Sequence, residues 1–138
     1  MFRKTIAMLL LSLPLLAGAE LVVVTSQDSR VGSLSQAEVR QYFLGENRSL
    51  DGHRVQLFDL PSGHPLRERF YQEVAGRSLD QMRSHWARQV FTGGGQPPRE
   101  AASIRDMKSR AASRGALGYL PAGEVDQGSG LKILFRVD

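Results

Sequence analysis

The sequence of 138 residues contains no cysteine. Without thiols there is no disulfide framework, no cysteine-bound zinc and no lipid attached to a cysteine. A folded domain without these supports must rely on its hydrophobic core. For an exported chain, this absence favours the bacterial periplasm over a harsher extracellular setting.

Long apolar runs are also lacking, since a transmembrane helix needs about 20 apolar residues. The longest run, residues 6–16, covers 11 positions. Arg3 and Lys4 precede it, and small residues at 17–19 (Ala-Gly-Ala) follow it. A basic start, a short apolar stretch and a small-residue cleavage site are the three parts of a secretory signal peptide.

We therefore expect residues 1–19 to be a signal peptide that is cleaved after Ala19. The mature chain, residues 20–138, is long enough for one hydrophobic core and too short for two domains of ordinary size. Its predicted location is periplasmic.

The net charge of the sequence is small and positive, with 18 Lys and Arg against 14 Asp and Glu. Removal of Arg3 and Lys4 with the signal peptide leaves 16 against 14, a net charge of +2. Nucleic-acid-binding domains carry a stronger and more clustered positive charge. We expect no nucleic acid partner.

Residues that support catalysis or metal binding are not grouped. The histidines, His53, His64 and His85, lack the spacing of a zinc motif. There is no Gly-x-Ser-x-Gly element for a nucleophilic serine, and the carboxylates are scattered. We expect no catalytic residues, no metal and no cofactor, and therefore no enzyme.

Hydrophobic patterning and helix caps predict the element order β-α-β-α-α-α-β-β, an α/β domain with one mixed sheet. Capping boxes begin helices at Ser35 and Ser78. The stripe behind Ser78 predicts that one helix face turns to the core, formed by Leu79, Met82, Trp86 and Val90. The predicted strands are residues 21–25, 54–60, 116–120 and 131–137, and the other two helices are residues 65–75 and the segment that begins near residue 104 and closes at Gly115.

The best candidate for ligand binding is the loop between the second strand and the next helix. There, Ser62, Gly63 and His64 precede Pro65, and Arg67 lies in the first helical turn. Helix N-termini with free amides attract anions, and a guanidinium adds a charged fork. The alternative is that Ser62 or His64 only caps the helix, with Pro65 at its first position.

A second candidate is the pair Thr25 and Ser26, just beyond the first strand. Open α/β sheets hold ligands outside the carboxyl ends of their strands, so these hydroxyls are candidate oxyanion ligands. The alternative is that the pair only terminates the strand.

Several blocks of this sequence resemble one known family. They are Phe-Leu-Gly at 43–45, Val-Gln-Leu-Phe at 55–58, Trp86, Val-Phe-Thr-Gly at 90–93 and Gly-Ala-Leu-Gly-Tyr-Leu at 115–120. The family is the phosphate-binding-protein-like family, related to the periplasmic phosphate receptors of ABC transporters. The resemblance implies a single lobe of the type II periplasmic-binding-protein fold, with a mixed sheet flanked by helices.

In that family a Ser-Gly-Thr at a helix start, preceded by an arginine, holds part of the phosphate. Here Ser62-Gly63-His64 replaces the threonine with histidine. An alignment on Phe70 would instead put His64 at the serine position and Leu60 at that of the arginine.

Two functions follow as expectations. The first is a periplasmic substrate-binding module that takes phosphate or a similar oxyanion, in connection with ABC-type phosphate uptake or sensing. The second is a ligand-free adaptor that docks on a membrane sensor or transporter. A homodimer would offer a way to close the half-open site of a single lobe.

Overall fold

The computed structural model describes residues 19–137. The predicted signal peptide, apart from Ala19, therefore lies outside the described residues. No helix within residues 19–137 has the length and apolar character needed to cross a membrane. The strands are Leu21–Ser26 (β1), Ser49–Leu50 (β2), His53–Arg54 (β3), Gln56–Asp59 (β4), Arg99–Glu100 (β5), Ala116–Pro121 (β6) and Leu131–Val137 (β7). The α-helices are Gln36–Phe43 (α1), Pro65–Ala75 (α2), Leu79–Phe91 (α3) and Ile104–Ala111 (α4).

Five strands form one mixed sheet in the order β5-β4-β6-β1-β7. β4 runs parallel to β5 and β6, and β1 runs antiparallel to β6 and β7. β2 and β3 form a separate hairpin, in which Asp51 and Gly52 adopt positive φ angles in the turn. The mixed α/β sheet predicted from the sequence is confirmed, and of the three two-residue strands only β5 joins it.

The helices begin where the sequence places their caps. The Ser35 hydroxyl accepts the Glu38 amide at 3.1 Å, and the Glu38 carboxylate accepts the Ser35 amide at 3.0 Å. Ser78 and Gln81 form the same reciprocal pair at the start of α3. α2 ends at Gly76 in the left-handed conformation, which glycine adopts without steric cost.

The core contains an aromatic cluster beneath α2. Phe70 stacks on Tyr119 with ring centroids 3.8 Å apart, and Phe43 meets both rings edge-on. Tyr71 lies edge-on to Phe70 and to Tyr119. Such contacts fix the ring positions and therefore fix where the two phenol hydroxyls point.

The prediction that Val90 continues the buried stripe of α3 is wrong. Met82 and Trp86 are buried, but Val90 is 52% exposed and the neighbouring Phe91 is 92% exposed. A spacing of four advances by about 40° per step on a helix of 3.6 residues per turn. From Met82 to Val90 the side chain has therefore rotated by about 80° away from the core.

Candidate functional site

A carboxylate is buried at the end of β4. Asp59 is 4% exposed, and its Oδ1 accepts hydrogen bonds from the Tyr71 hydroxyl at 2.6 Å and the Tyr119 hydroxyl at 3.0 Å. Its Oδ2 lies 3.6 Å from Nη2 of Arg67. The Tyr119 hydroxyl also accepts the Leu60 amide at 3.2 Å. The two tyrosines and the arginine together compensate a charge that would otherwise be costly to bury.

Burial sets the protonation behaviour of this group. Desolvation raises the pKa of Asp59, and the hydrogen bond from Tyr71 and the charge of Arg67 oppose that rise in part. Burial, and then the Asp59 charge, raise the pKa of Tyr71 and Tyr119 well above the ordinary value. Both phenols therefore remain hydrogen-bond donors at neutral pH.

Arg67 crosses from α2 to the carboxyl end of β4. Its Nη1 donates to the Leu60 carbonyl at 3.2 Å and lies 3.6 Å from Oε2 of Glu100. The other Glu100 oxygen, Oε1, accepts the Ser62 amide at 2.7 Å. One carboxylate thus bridges an amide of the loop and the guanidinium.

His64 caps the start of α2, as the alternative interpretation of this loop predicted. Its Nδ1 accepts the Leu66 amide at 3.1 Å, and its carbonyl accepts the Arg67 amide at 3.1 Å. Pro65 at the first helical position has no amide hydrogen. The Leu66 and Arg67 amides at the start of α2 therefore donate to His64. The Ser62 amide, in the loop before the helix, donates instead to the Glu100 carboxylate. Gly63 has a φ of +85° and open space around its α-carbon, so it supplies the turn.

Thr25 and Ser26 do not join this site, which corrects their inclusion among its candidate ligands. The Thr25 hydroxyl is buried and donates to the Ala116 carbonyl at 2.7 Å, at the start of β6. The Ser26 hydroxyl accepts the Asp28 amide at 3.2 Å. β1 runs antiparallel to β6, whereas β4 runs parallel to it. The carboxyl ends of β1 and β4 therefore point to opposite ends of the sheet.

A groove of about 430 Å³ opens beside Arg67. One end is polar, with Asp59, Ser62, Arg67 and Tyr71. The rest is mainly apolar and is formed by α3 and the loop that follows it. Its other lining residues are Leu79, Met82, Arg83, Trp86, Ala87, Val90, Pro97 and Pro98.

Two buried donors border this groove. Across residues 19–137, neither Nε of Arg67 nor Nε1 of Trp86 finds a hydrogen-bond partner. Trp86 also borders a second cavity of about 290 Å³, and its ring packs against Gly45. Buried polar atoms without partners are uncommon in native structures, and they mark places where an added group would be stabilised.

The other two histidines lie outside this site. His85 Nε2 pairs with the Leu44 carbonyl at 2.8 Å, and its Nδ1 lies 3.2 Å from Arg77. His53 lies in the short hairpin strand β3. No group of three His, Asp or Glu side chains suited to a metal ion occurs between residues 19 and 137.

Sequence comparison finds no matching protein-family model and no matching curated protein. Solved structures do match. A Clostridium perfringens protein described as a phosphate ABC transporter substrate-binding protein, with phosphate bound, superposes with a TM-score of 0.68 at 13% identity, over 84% of this chain and 44% of its own. An ABC-type phosphate transport receptor from Vibrio cholerae gives 0.64 at 16% identity, over 84% and 45%. PstS from Borrelia burgdorferi gives 0.64 at 12% identity, over 84% and 46%.

The chain has the fold of one lobe of these receptors. The predicted single lobe of the periplasmic-binding-protein fold is confirmed, and the chain spans less than half the length of the structures it matches. At 12–16% identity the likeness establishes the fold alone. Residues that act at a site must be argued from this chain.

Proposed function

We propose that the chain is a periplasmic substrate-binding module that holds a small oxyanion at the loop between β4 and α2, without catalysing a reaction. Phosphate is the first candidate, in connection with ABC-type uptake or sensing, because the matching solved structures are described as phosphate transport proteins. The observation that carries the proposal is the Glu100 carboxylate, which sits on the Ser62 amide and beside Arg67. An amide and a guanidinium that already hold one carboxylate form an anion pocket.

Exchange of Glu100 for an external anion is feasible on structural grounds. Its side chain is 51% exposed, and it belongs to a strand of two residues at the edge of the sheet. Its ion pair with Arg67, at 3.6 Å, is long and partly in water, where such pairs contribute little. Competition from Glu100 and the open side of the groove both predict weak binding, in the millimolar range.

Calorimetric titration of residues 20–138 with phosphate and sulfate tests the proposal. Arg67→Lys keeps a positive charge beside Asp59 but loses the planar fork, so we expect affinity to fall about tenfold. Arg105→Lys is the matched control, because Arg105 is exposed on α4 and undergoes the same exchange of a guanidinium for an ammonium group. The proposal fails if no heat and no thermal shift appear at millimolar anion, or if both variants weaken binding equally.

A second candidate function rests on Phe91, which is 92% exposed at the end of α3 beside the half-exposed Val90. Exposed neighbouring apolar side chains are typical of a protein contact. We propose as the alternative an adaptor that meets a membrane sensor, a transporter or a second copy through this end of α3. Sedimentation of wild type and Phe91→Ser tests the homodimer, which is excluded if both remain monomeric at high micromolar concentration.

A further inference from the structure

The groove beside the anion pocket is larger than an inorganic oxyanion requires. A water molecule in the liquid occupies about 30 Å³, and a tetrahedral oxyanion is equivalent to roughly two or three of them. The groove measures about 430 Å³. Sites for organic ligands span about 300–1,000 Å³ and are mostly apolar with a few placed polar groups. Its size and lining are those of an organic ligand site.

The apolar wall is laid out along α3. Leu79, Met82 and Trp86 form its base, and the half-exposed Val90 and the proline pair at 97–98 form its rim. Apart from the exposed Arg83 and the indole nitrogen of Trp86, the polar side chains of the lining cluster around Ser62 and Arg67. This arrangement matches a molecule with an anionic group at one end and a hydrocarbon body.

The polar end fits a carboxylate better than a phosphate dianion. The two oxygens of Glu100 already meet the Ser62 amide and Arg67. Asp59, which shares Arg67, adds negative charge that disfavours a second full charge on the ligand. A planar monoanion with two acceptor oxygens needs only the donors that Glu100 now uses, whereas a phosphate would leave oxygens unpaired.

We propose that the ligand of this groove is an organic monocarboxylate with an apolar body, and that its carboxylate replaces that of Glu100. The inference rests on the anion pocket of the proposed function and names the ligand class of that same site. Glu100 acts as an internal competitor. Arg67 and the Ser62 amide bind the ligand carboxylate, and the face of α3 around Trp86 and Val90 binds the hydrocarbon.

A series of carboxylates tests the inference by calorimetry on residues 20–138. Acetate, butanoate, hexanoate and 3-phenylpropanoate share one head group, while 3-phenylpropan-1-ol lacks the charge. Affinity should rise up to about fourfold for each methylene that becomes buried. We expect 3-phenylpropanoate to bind at least roughly tenfold more tightly than acetate, and the alcohol to bind at least about tenfold more weakly than 3-phenylpropanoate.

Variants on each part of the site separate the contributions. Val90→Ser should weaken 3-phenylpropanoate about threefold and leave acetate unchanged, because it shortens the apolar wall only. Phe91→Ser is the matched control, since Phe91 is the neighbouring exposed apolar residue and does not line the groove. Glu100→Gln should tighten both carboxylates about fivefold by weakening the competitor, and Arg67→Lys should weaken both. Circular dichroism confirms that each variant is folded.

The outcomes divide clearly. If phosphate or acetate binds and affinity does not rise along the series, the inference is overturned and the oxyanion-binding function stands. If the alcohol binds as tightly as the acid, or Glu100→Gln has no effect, the carboxylate pocket is not part of the groove and the inference is overturned. If none of these compounds nor phosphate binds, the proposed function fails as well.

Discussion

Removing the hydroxyl of Tyr119 tests the buried network around Asp59. In Tyr119→Phe the ring still stacks on Phe70, so the change is confined to one oxygen atom. That oxygen donates to Asp59 at 3.0 Å and accepts the Leu60 amide at 3.2 Å. Its loss removes a donor from a buried carboxylate and the acceptor of a buried amide.

Tyr71→Phe is the matched comparison, because Tyr71 donates to the same Oδ1 of Asp59 at 2.6 Å. A hydrogen bond to a charged group contributes about 1.5–3 kcal/mol, and a buried donor left without an acceptor costs about 1–3 kcal/mol. We therefore expect the free energy of unfolding to fall by about 2 kcal/mol in Tyr71→Phe and by about 4 kcal/mol in Tyr119→Phe. The larger value is a substantial part of the 5–15 kcal/mol that stabilises an ordinary domain.

Urea unfolding followed by the fluorescence of the single tryptophan, Trp86, measures both free energies of unfolding. Unchanged m values would show that the native and unfolded states keep their compactness. The reasoning is refuted if Tyr71→Phe costs as much as Tyr119→Phe, because the Leu60 amide would then contribute nothing. It is also refuted if either change costs less than about 0.5 kcal/mol, the range of ordinary surface substitutions.

Two further predictions concern stability. The pKa of Asp59 is raised in the folded state, so the folded protein binds more protons than the unfolded one between the ordinary pKa of 3.8 and the raised value. Stability should therefore lose an Asp59 contribution as pH rises through that window, and urea titrations across the window should show no such loss in Asp59→Asn. Gly45→Ala should cost about 3 kcal/mol, since its φ is +79° and the new methyl would lie 2.8 Å from the Trp86 ring. Gly76→Ala, with a φ of +63° and open space, should cost only about 1 kcal/mol in the same measurement.

Local sequence patterns predicted the helices and strands that are long enough for their apolar residues to repeat at a regular spacing. The capping boxes at Ser35 and Ser78 mark the starts of α1 and α3, because a reciprocal cap is specified by residues three apart. The two-residue strands leave no such pattern, since alternation needs about four residues to be recognised. Val90 was misplaced because a spacing of four drifts around a helix, and only the packed structure shows where the core ends.

The loop with Ser62 and Arg67 was a candidate from the sequence, whereas Asp59 and Glu100, which contact it in the structure, were not. Asp59 is the single charged residue among the apolar residues 57–60, and that anomaly was the available sign of a buried carboxylate.

Glu100 gave no comparable sign, because it comes near Ser62 only through the pairing of β5 with β4, in which Asp59 lies opposite Glu100. A backbone hydrogen bond from the Ala101 amide to the Asp59 carbonyl, at 2.8 Å, also holds β5 in that register. The same short pairing therefore forms one edge of the sheet and places Glu100 in the proposed anion pocket. A ligand that displaces only the Glu100 side chain leaves this backbone pairing intact, so binding does not require β5 to detach.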